Sequence, residues 1–252
     1  MTDTIQKPPM RRFDISRFVS LLLHPRRAFT TMAAEGSASW SAPMLVLTAM
    51  AILAVVVGGY FKTHAAMMGE VQLPPDWQYW TPEMQENFMQ AQQATQGAAF
   101  VYVIPMFGSL IGLWLGWLIL AGLLHLGSTL LGGRGSMQNA LTVVAWASLP
   151  FAVRDILRVV FMLIAGHAIA SPGLSGFVAN SGFLSQVLAR TDIFLVWSIV
   201  LLVIGFAIVD GLPRGKAFAN VMVVILLVLL AQAGVSSLTS SLGGSAVQRP
   251  FF

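Results

Sequence analysis

The sequence predicts an all-α fold: a polytopic membrane helix bundle of five transmembrane helices, N-terminus in the cytoplasm and C-terminus outside. Three observations predict it. Of 252 residues, 56% are hydrophobic and only 10% charged, whereas a soluble domain carries about 25% charged residues to wet its surface. Apolar blocks recur at the length of about 20 residues that a hydrocarbon core about 30 Å thick demands of a helix. Lys and Arg cluster in alternate segments between those blocks, the bias that sets orientation in a membrane.

Three regions follow: a cytoplasmic amphipathic N-terminal region, 1–41; a transmembrane domain, 42–238, with an external loop at 62–98; and a short external tail, 239–252. In the first, Ile15, Phe18, Val19 and Leu22 recur at i, i+3, i+4 and i+7 with Asp14, Ser16 and Arg17 on other faces, the pattern of an amphipathic helix. Pro25 ends it, and a second short helix is expected from Arg26 to Ala34. Such helices either lie on an anionic cytoplasmic leaflet or pack against the bundle itself. The first apolar block starts near Ala42 without a small-residue cleavage site after it, so it is read as a span, not a signal peptide.

Four blocks are predicted to span: Ala42 to Phe61, Phe100 to Leu124, Ile193 to Val209 with its flanks, and Phe218 to Leu238. A further block, Ala140 to Ala170, is interrupted by Pro150 and by Arg154, Asp155 and Arg158. As one helix it would run about 46 Å at 1.5 Å per residue, and an internal proline breaks or kinks a helix. Either Phe151 to Ala170 crosses while Ala140 to Leu149 lies at the interface or re-enters shallowly, or the crossing half precedes Pro150. The first placement is favoured because it lets Arg154 and Arg158 snorkel to the cytoplasmic headgroups.

Orientation rests on charge. Lys7, Arg11, Arg12, Arg17, Arg26 and Arg27 precede the first span. The next loop sets Lys62 against Glu70, Asp76, Glu83 and Glu86, the one after it carries Arg134, then comes a long, nearly neutral segment, and finally a short loop with Arg214 and Lys216. That alternation requires five crossings. In the external loop Thr81, Pro82 and Glu83 form a helix start, cap, first position and first-turn acid in turn, and the helix to about Gln96 could continue into span two. Trp77, Tyr79 and Trp80 ahead of it are read as an interfacial aromatic belt, with a ligand-binding patch as the alternative.

Two constellations carry candidate function. Gly108, Gly112 and Gly116 place one glycine per turn on one face of span two, and small residues at that spacing let helix backbones approach closely in lipid. Their partner is another span or a second copy, leaving a homo-oligomer open. Arg154, Asp155 and Arg158 form a membrane-depth charge cluster; anchors at the interface, a structural or partner-binding ion pair, and a conduction path are the three readings. No catalytic residues, metal ligands or cofactor are expected. His24, His64, His125 and His167 are scattered, there is no cysteine, and Gly132-Gly133-Arg134-Gly135 and Gly211 to Ala217 lack the context or spacing of phosphate-binding loops. The net charge of +4 is concentrated near the N-terminus without interleaved aromatics, which argues against nucleic acid.

The layout resembles the Yip-domain family, the Ypt/Rab-interacting membrane proteins and their bacterial relatives. The resemblance is carried by Leu21-Leu22-Leu23-His24-Pro25-Arg26-Arg27-Ala28-Phe29, by Gly132 to Ser136 followed by Ala145-Trp146-Ala147-Ser148-Leu149-Pro150, and by Trp197, Ser198, Leu201 and Gly205 leading to Gly215-Lys216-Ala217. It covers about Leu21 to Leu230. It implies five spans, N-in and C-out; the short N-terminus and long first external loop look more like the bacterial branch, hence a multi-pass protein of the bacterial inner membrane rather than a Rab partner. Some bacterial relatives are similar to accessory subunits of ABC-type exporters. The expected function is therefore a non-enzymatic membrane adaptor or accessory subunit contacting another membrane protein or complex within the lipid bilayer. The alternatives are a membrane-shaping protein acting through its interfacial helices, or a small transporter or channel using Arg154, Asp155 and Arg158.

Overall fold

The computed structural model describes residues 15–35, 39–69, 73–74, 76–169, 173–177 and 183–244, all of their regular structure helical. Lys7, Arg11, Arg12, Asp14, Glu70 and the tail from 245 onward, which entered the charge and domain readings, lie outside the described residues.

The N-terminal helices α1 (Ile15–Leu23) and α2 (Pro25–Glu35) meet at His24. Pro25 opens α2, where its missing N–H leaves no helical bond unmade. Of the two settings expected for them, the fold supplies the packed one: Leu21 and Phe29 are fully buried in the main core with Leu201, Leu202 and Phe206.

The first apolar block forms α3 (Ser41–Met67), six residues longer than its predicted C-terminal limit. In the loop beyond it, Thr81 caps α4 (Pro82–Ala94) by accepting from the Met84 N–H at 3.3 Å. That helix stops at Thr95 instead of running on, and a π-turn, Ala99–Val103, leads into α5 (Ile104–Leu130). The two halves of α5 pack differently. Its first half accompanies α3, with Tyr102 against Gly59 and Trp114 and Trp117 against Trp40, ring centroids 6.2 and 5.0 Å apart. Its second half lies against later elements, through Leu124, Gly127 and Ser128.

The interrupted block divides at Ser148 into α6 (Met137–Ala147) and α7 (Leu149–Ala165), with Pro150 at the tolerated start of α7. The break falls where the sequence placed it, and the first half is packed inside the bundle. Ala140 and Thr142 to Ala147 are all buried, making α6 the centre of the packing. The reason is compositional, since residues 140–147 are apolar but for Thr142 and have little face to give to water or headgroups. Trp117 Nε1 donates to the Leu141 carbonyl at 3.0 Å, and Trp146 Nε1 to the Ser39 carbonyl at 3.2 Å. Gly166, at φ 74°, ends α7 in a conformation other residues rarely adopt.

The short α8 (Phe183–Arg190) precedes α9 (Ile193–Val209), and α10 (Arg214–Gly244) closes the described chain. Among the described residues three helices are long and apolar enough to cross a membrane, Ser41–Met67, Ala99–Leu130 and Arg214–Ser236, and α8 with α9 makes a fourth if this pair, bent by 64°, is one span. The helix α7, 17 residues with three charges, is not among them and stands at the lower limit of a crossing's length.

Candidate functional site

The charge cluster is larger than its sequence suggested. Arg154, Asp155 and Arg158 share one face of α7, and that face meets Asp192, the residue that opens α9. Asp192 Oδ1 accepts the Leu195 N–H at 2.9 Å, capping α9. Its Oδ2 receives Arg154 Nη1 at 3.5 Å and Arg158 Nη2 at 3.9 Å. Asp155 Oδ1 takes Arg154 Nε at 3.2 Å and Arg158 Nη1 at 3.9 Å. Two guanidinium groups and two carboxylates balance, and the Arg154 guanidinium also lies 4.8 Å over the Phe151 ring. Their side chains are 13 to 29% exposed, and Arg154, Arg158 and Asp192 border a hollow of about 260 Å³ with Phe161, Ile169 and Phe194. Such a network ties α7 to α9. Nearby, Arg190 joins α8 to α10 by donating to the Ser236 hydroxyl at 2.8 Å.

At the other end of α9 sits a different acid. Asp210 is 2% exposed; its Oδ2 accepts from Ser128 Oγ at 2.5 Å, and its Oδ1 is buried without a hydrogen-bond partner. Its main-chain carbonyl accepts the Arg134 N–H at 3.0 Å. A Cβ on Gly135 would overlap the Asp210 carboxylate, and one on Gly133 would overlap Ser128. The Gly132-Gly133-Arg134-Gly135 run is thus a turn closed around a buried acid. His125 lies close enough to act on that acid electrostatically, and its own Nδ1 is buried and unpartnered. Burial pushes the Asp210 carboxyl above the usual carboxylate range, against the lowering pull of Ser128 and His125. Asn220 Nδ2 donates to the Leu124 carbonyl at 2.9 Å, and Lys216 Nζ to that of Leu131 at 2.9 Å, closing α10 onto α5 beside it.

The glycine face of α5 has no neighbour among the described residues. Among the described residues, nothing lies within 4 Å of the Cβ position of Gly108, Gly112 or Gly116. Ile104, Phe107, Ile111 and Leu115 around them are half or more exposed. Between α3 and α4 Trp77 and Trp80 close over Phe88 of α4, centroids 5.4 and 5.6 Å away, while Tyr79 is 80% exposed. Gln85 Nε2 donates to the Trp77 carbonyl at 3.1 Å, fixing that cap. The structure therefore separates the three aromatics, two folded inward and one outward.

Asp192 and Asp210 escaped the sequence reading. For Asp192 a signal existed: an acid directly before an apolar run marks a helix N-cap. For Asp210 none did, because only the folded chain brings residues 128, 135 and 210 together. Among the described residues no three His, Asp or Glu side chains are grouped to hold a metal.

No curated protein and no solved structure matches the chain. A family model described as the Yip1 domain matches residues 19–235, well over half of the chain, and the protein belongs to the Yip1-domain family.

Proposed function

We propose that this protein is a non-catalytic membrane adaptor that holds a helix of another membrane protein against the outward face of α5. The Yip1-domain family is not one of enzymes, and its apolar helices make this chain a multi-pass membrane protein. The observation that carries the proposal is the glycine stripe. Gly108, Gly112 and Gly116 keep the spacing of a close helix contact, yet none of the chain's own described helices uses it. Lipid does not require such a stripe, since any apolar residue satisfies it. An ABC-type exporter is the partner that the resemblance to bacterial relatives supports.

The adaptor is read as five crossings of the bacterial inner membrane, α3, α5, α7, α9 and α10, with the N-terminus on the cytoplasmic side and the domain limits at 42 and 238. Charge alternation supports it, as does the shared cluster of Met44 and Leu47 near the start of α3 with Ala152 near the start of α7, expected of two crossings in the same direction. The membrane-shaping alternative keeps only part of its apolar surface, since Leu21, Phe29 and Met32 are buried while Val19 and Leu23 stay exposed. A conduction path through Arg154, Asp155 and Arg158 loses support because those charges neutralise one another and Asp192.

The test is affinity purification of the full chain from native membranes in mild detergent, beside Gly112→Leu. A membrane protein recovered with the parent and lost with the variant, both folding alike, is the expected result. Recovery of the isolated chain alone from the parent would overturn the proposal.

A further inference from the structure

Separate from the α5 face, a groove of about 320 Å³ runs along α9 between α2 and α10. Its floor is Ile199, Val200, Val203, Ile204, Ala207 and Ile208, with Phe218 at one wall. These floor residues recur as pairs one turn apart, so the trough follows a single face of α9 for roughly 13 Å at 1.5 Å per residue. The opposite face of α9, through Ser198, Leu201, Leu202, Gly205 and Phe206, is what the fold buries. Arg26 from α2 and Arg214 from α10 are the only charged groups lining the groove. Both are exposed, neither forms an ion pair among the described residues, and no carboxylate lines the groove. Arg214 is the first residue of the 31-residue α10, so the positive end of that helix lies at the groove.

An apolar trough that opens beside two uncompensated guanidinium groups is matched to one kind of molecule. We infer that this groove binds an anionic glycerophospholipid, acyl chain along α9 and phosphate between Arg26 and Arg214. A zwitterionic lipid would fill the trough equally but would bring a cation to a mouth that already holds two. A free phosphate would satisfy the arginines and leave the trough empty. The guanidinium fork suits phosphate oxygens, and each basic side chain near a membrane surface adds to affinity for an anionic headgroup. The docking of α2 on α9 is what brings Arg26 to this groove. This site is independent of the partner contact on α5, so either can fail alone.

The experiment is native mass spectrometry of the detergent-purified full chain, titrated with phosphatidylglycerol and phosphatidylcholine of matched acyl chains. The parent is expected to retain phosphatidylglycerol roughly thirtyfold more strongly than the double variant Arg26→Gln/Arg214→Gln, the weight of two arginines at an anionic surface. Arg27→Gln, which removes an exposed charge that does not line the groove, should retain it as the parent does. Val200→Trp, filling the trough at a residue 48% exposed, should lose it with both arginines in place. Arg26→Lys/Arg214→Lys guards against a folding defect, because it should recover most of the retention. Equal loss in Arg27→Gln and in the double variant would overturn the site, as would full retention in the double variant. Displacement of the lipid by millimolar inorganic phosphate would show an anion site without a lipid trough and would also overturn it.

Discussion

The helix α9 is bracketed by two aspartates that the fold treats in opposite ways. Asp192 opens the helix, 13% exposed, and has two arginines and a backbone N–H to satisfy it. Asp210 closes it, 2% exposed, with a hydroxyl on one oxygen and nothing on the other. The first is a charge made affordable by charge; the second is held by shape, with Gly133 and Gly135 letting the turn close to within contact. The difference teaches where each end is sensitive. One end should respond to removal of charge, the other to added volume and to pH.

Asp192→Ala should have the largest effect. It strands two partly buried guanidinium groups and removes a helix cap, about 3 kcal/mol together, read as thermal unfolding in detergent. Asp155→Ala, which leaves Asp192 to serve both arginines, should cost about 1 kcal/mol. Equal losses would mean that Asp192 is not the hub. At the other end, Gly135→Ala pushes a methyl into the Asp210 carboxylate and should cost about 2 kcal/mol. A neutral result would show that the turn closes more loosely than the structure has it.

The pH dependence of Asp210→Asn sharpens the contrast further. Burial raises the folded carboxyl above its unfolded value. Between those two values the folded chain holds more protons than the unfolded one, so stability falls as pH rises through that window. Asparagine does not titrate. The variant's advantage over the parent should be absent in acid and grow toward neutral pH; an advantage that does not change with pH would contradict the burial. The smallest effect belongs to Gly112→Leu, which should leave unfolding within about 0.5 kcal/mol of the parent because nothing stands near its Cβ.

Legibility in the sequence followed the range of the physics. Apolar length and local chemistry were readable: α3, α5, α9 and α10 emerge where the hydropathic blocks fall, Thr81 caps α4, and the chain breaks beside Pro150. What depended on tertiary contact was not. The burial of α6 between neighbours, the turning of Trp77 and Trp80 onto Phe88, and the docking of α2 on α9 by Phe29 against Gly205 leave no periodic trace. The charge cluster was half legible, since three members lie within five residues on one helix and the fourth, Asp192, comes from 34 residues beyond Arg158. The glycine stripe was legible as a contact surface, but only the fold tells that its partner is not one of the chain's own described helices.

The adaptor proposal is tested most directly on that stripe. The chain has no cysteine, so single substitutions Gly108→Cys, Ile111→Cys, Gly112→Cys and Leu115→Cys on the outward face, and Leu113→Cys and Leu120→Cys on the inward one, can be cross-linked in native membranes without further changes. The expected result is an adduct at the four outward positions, absent at the two inward ones, whose mass differs from twice the 27.1 kDa of this chain. Adducts that ignore the face of the helix, or that consist only of two copies of this protein, would contradict the account.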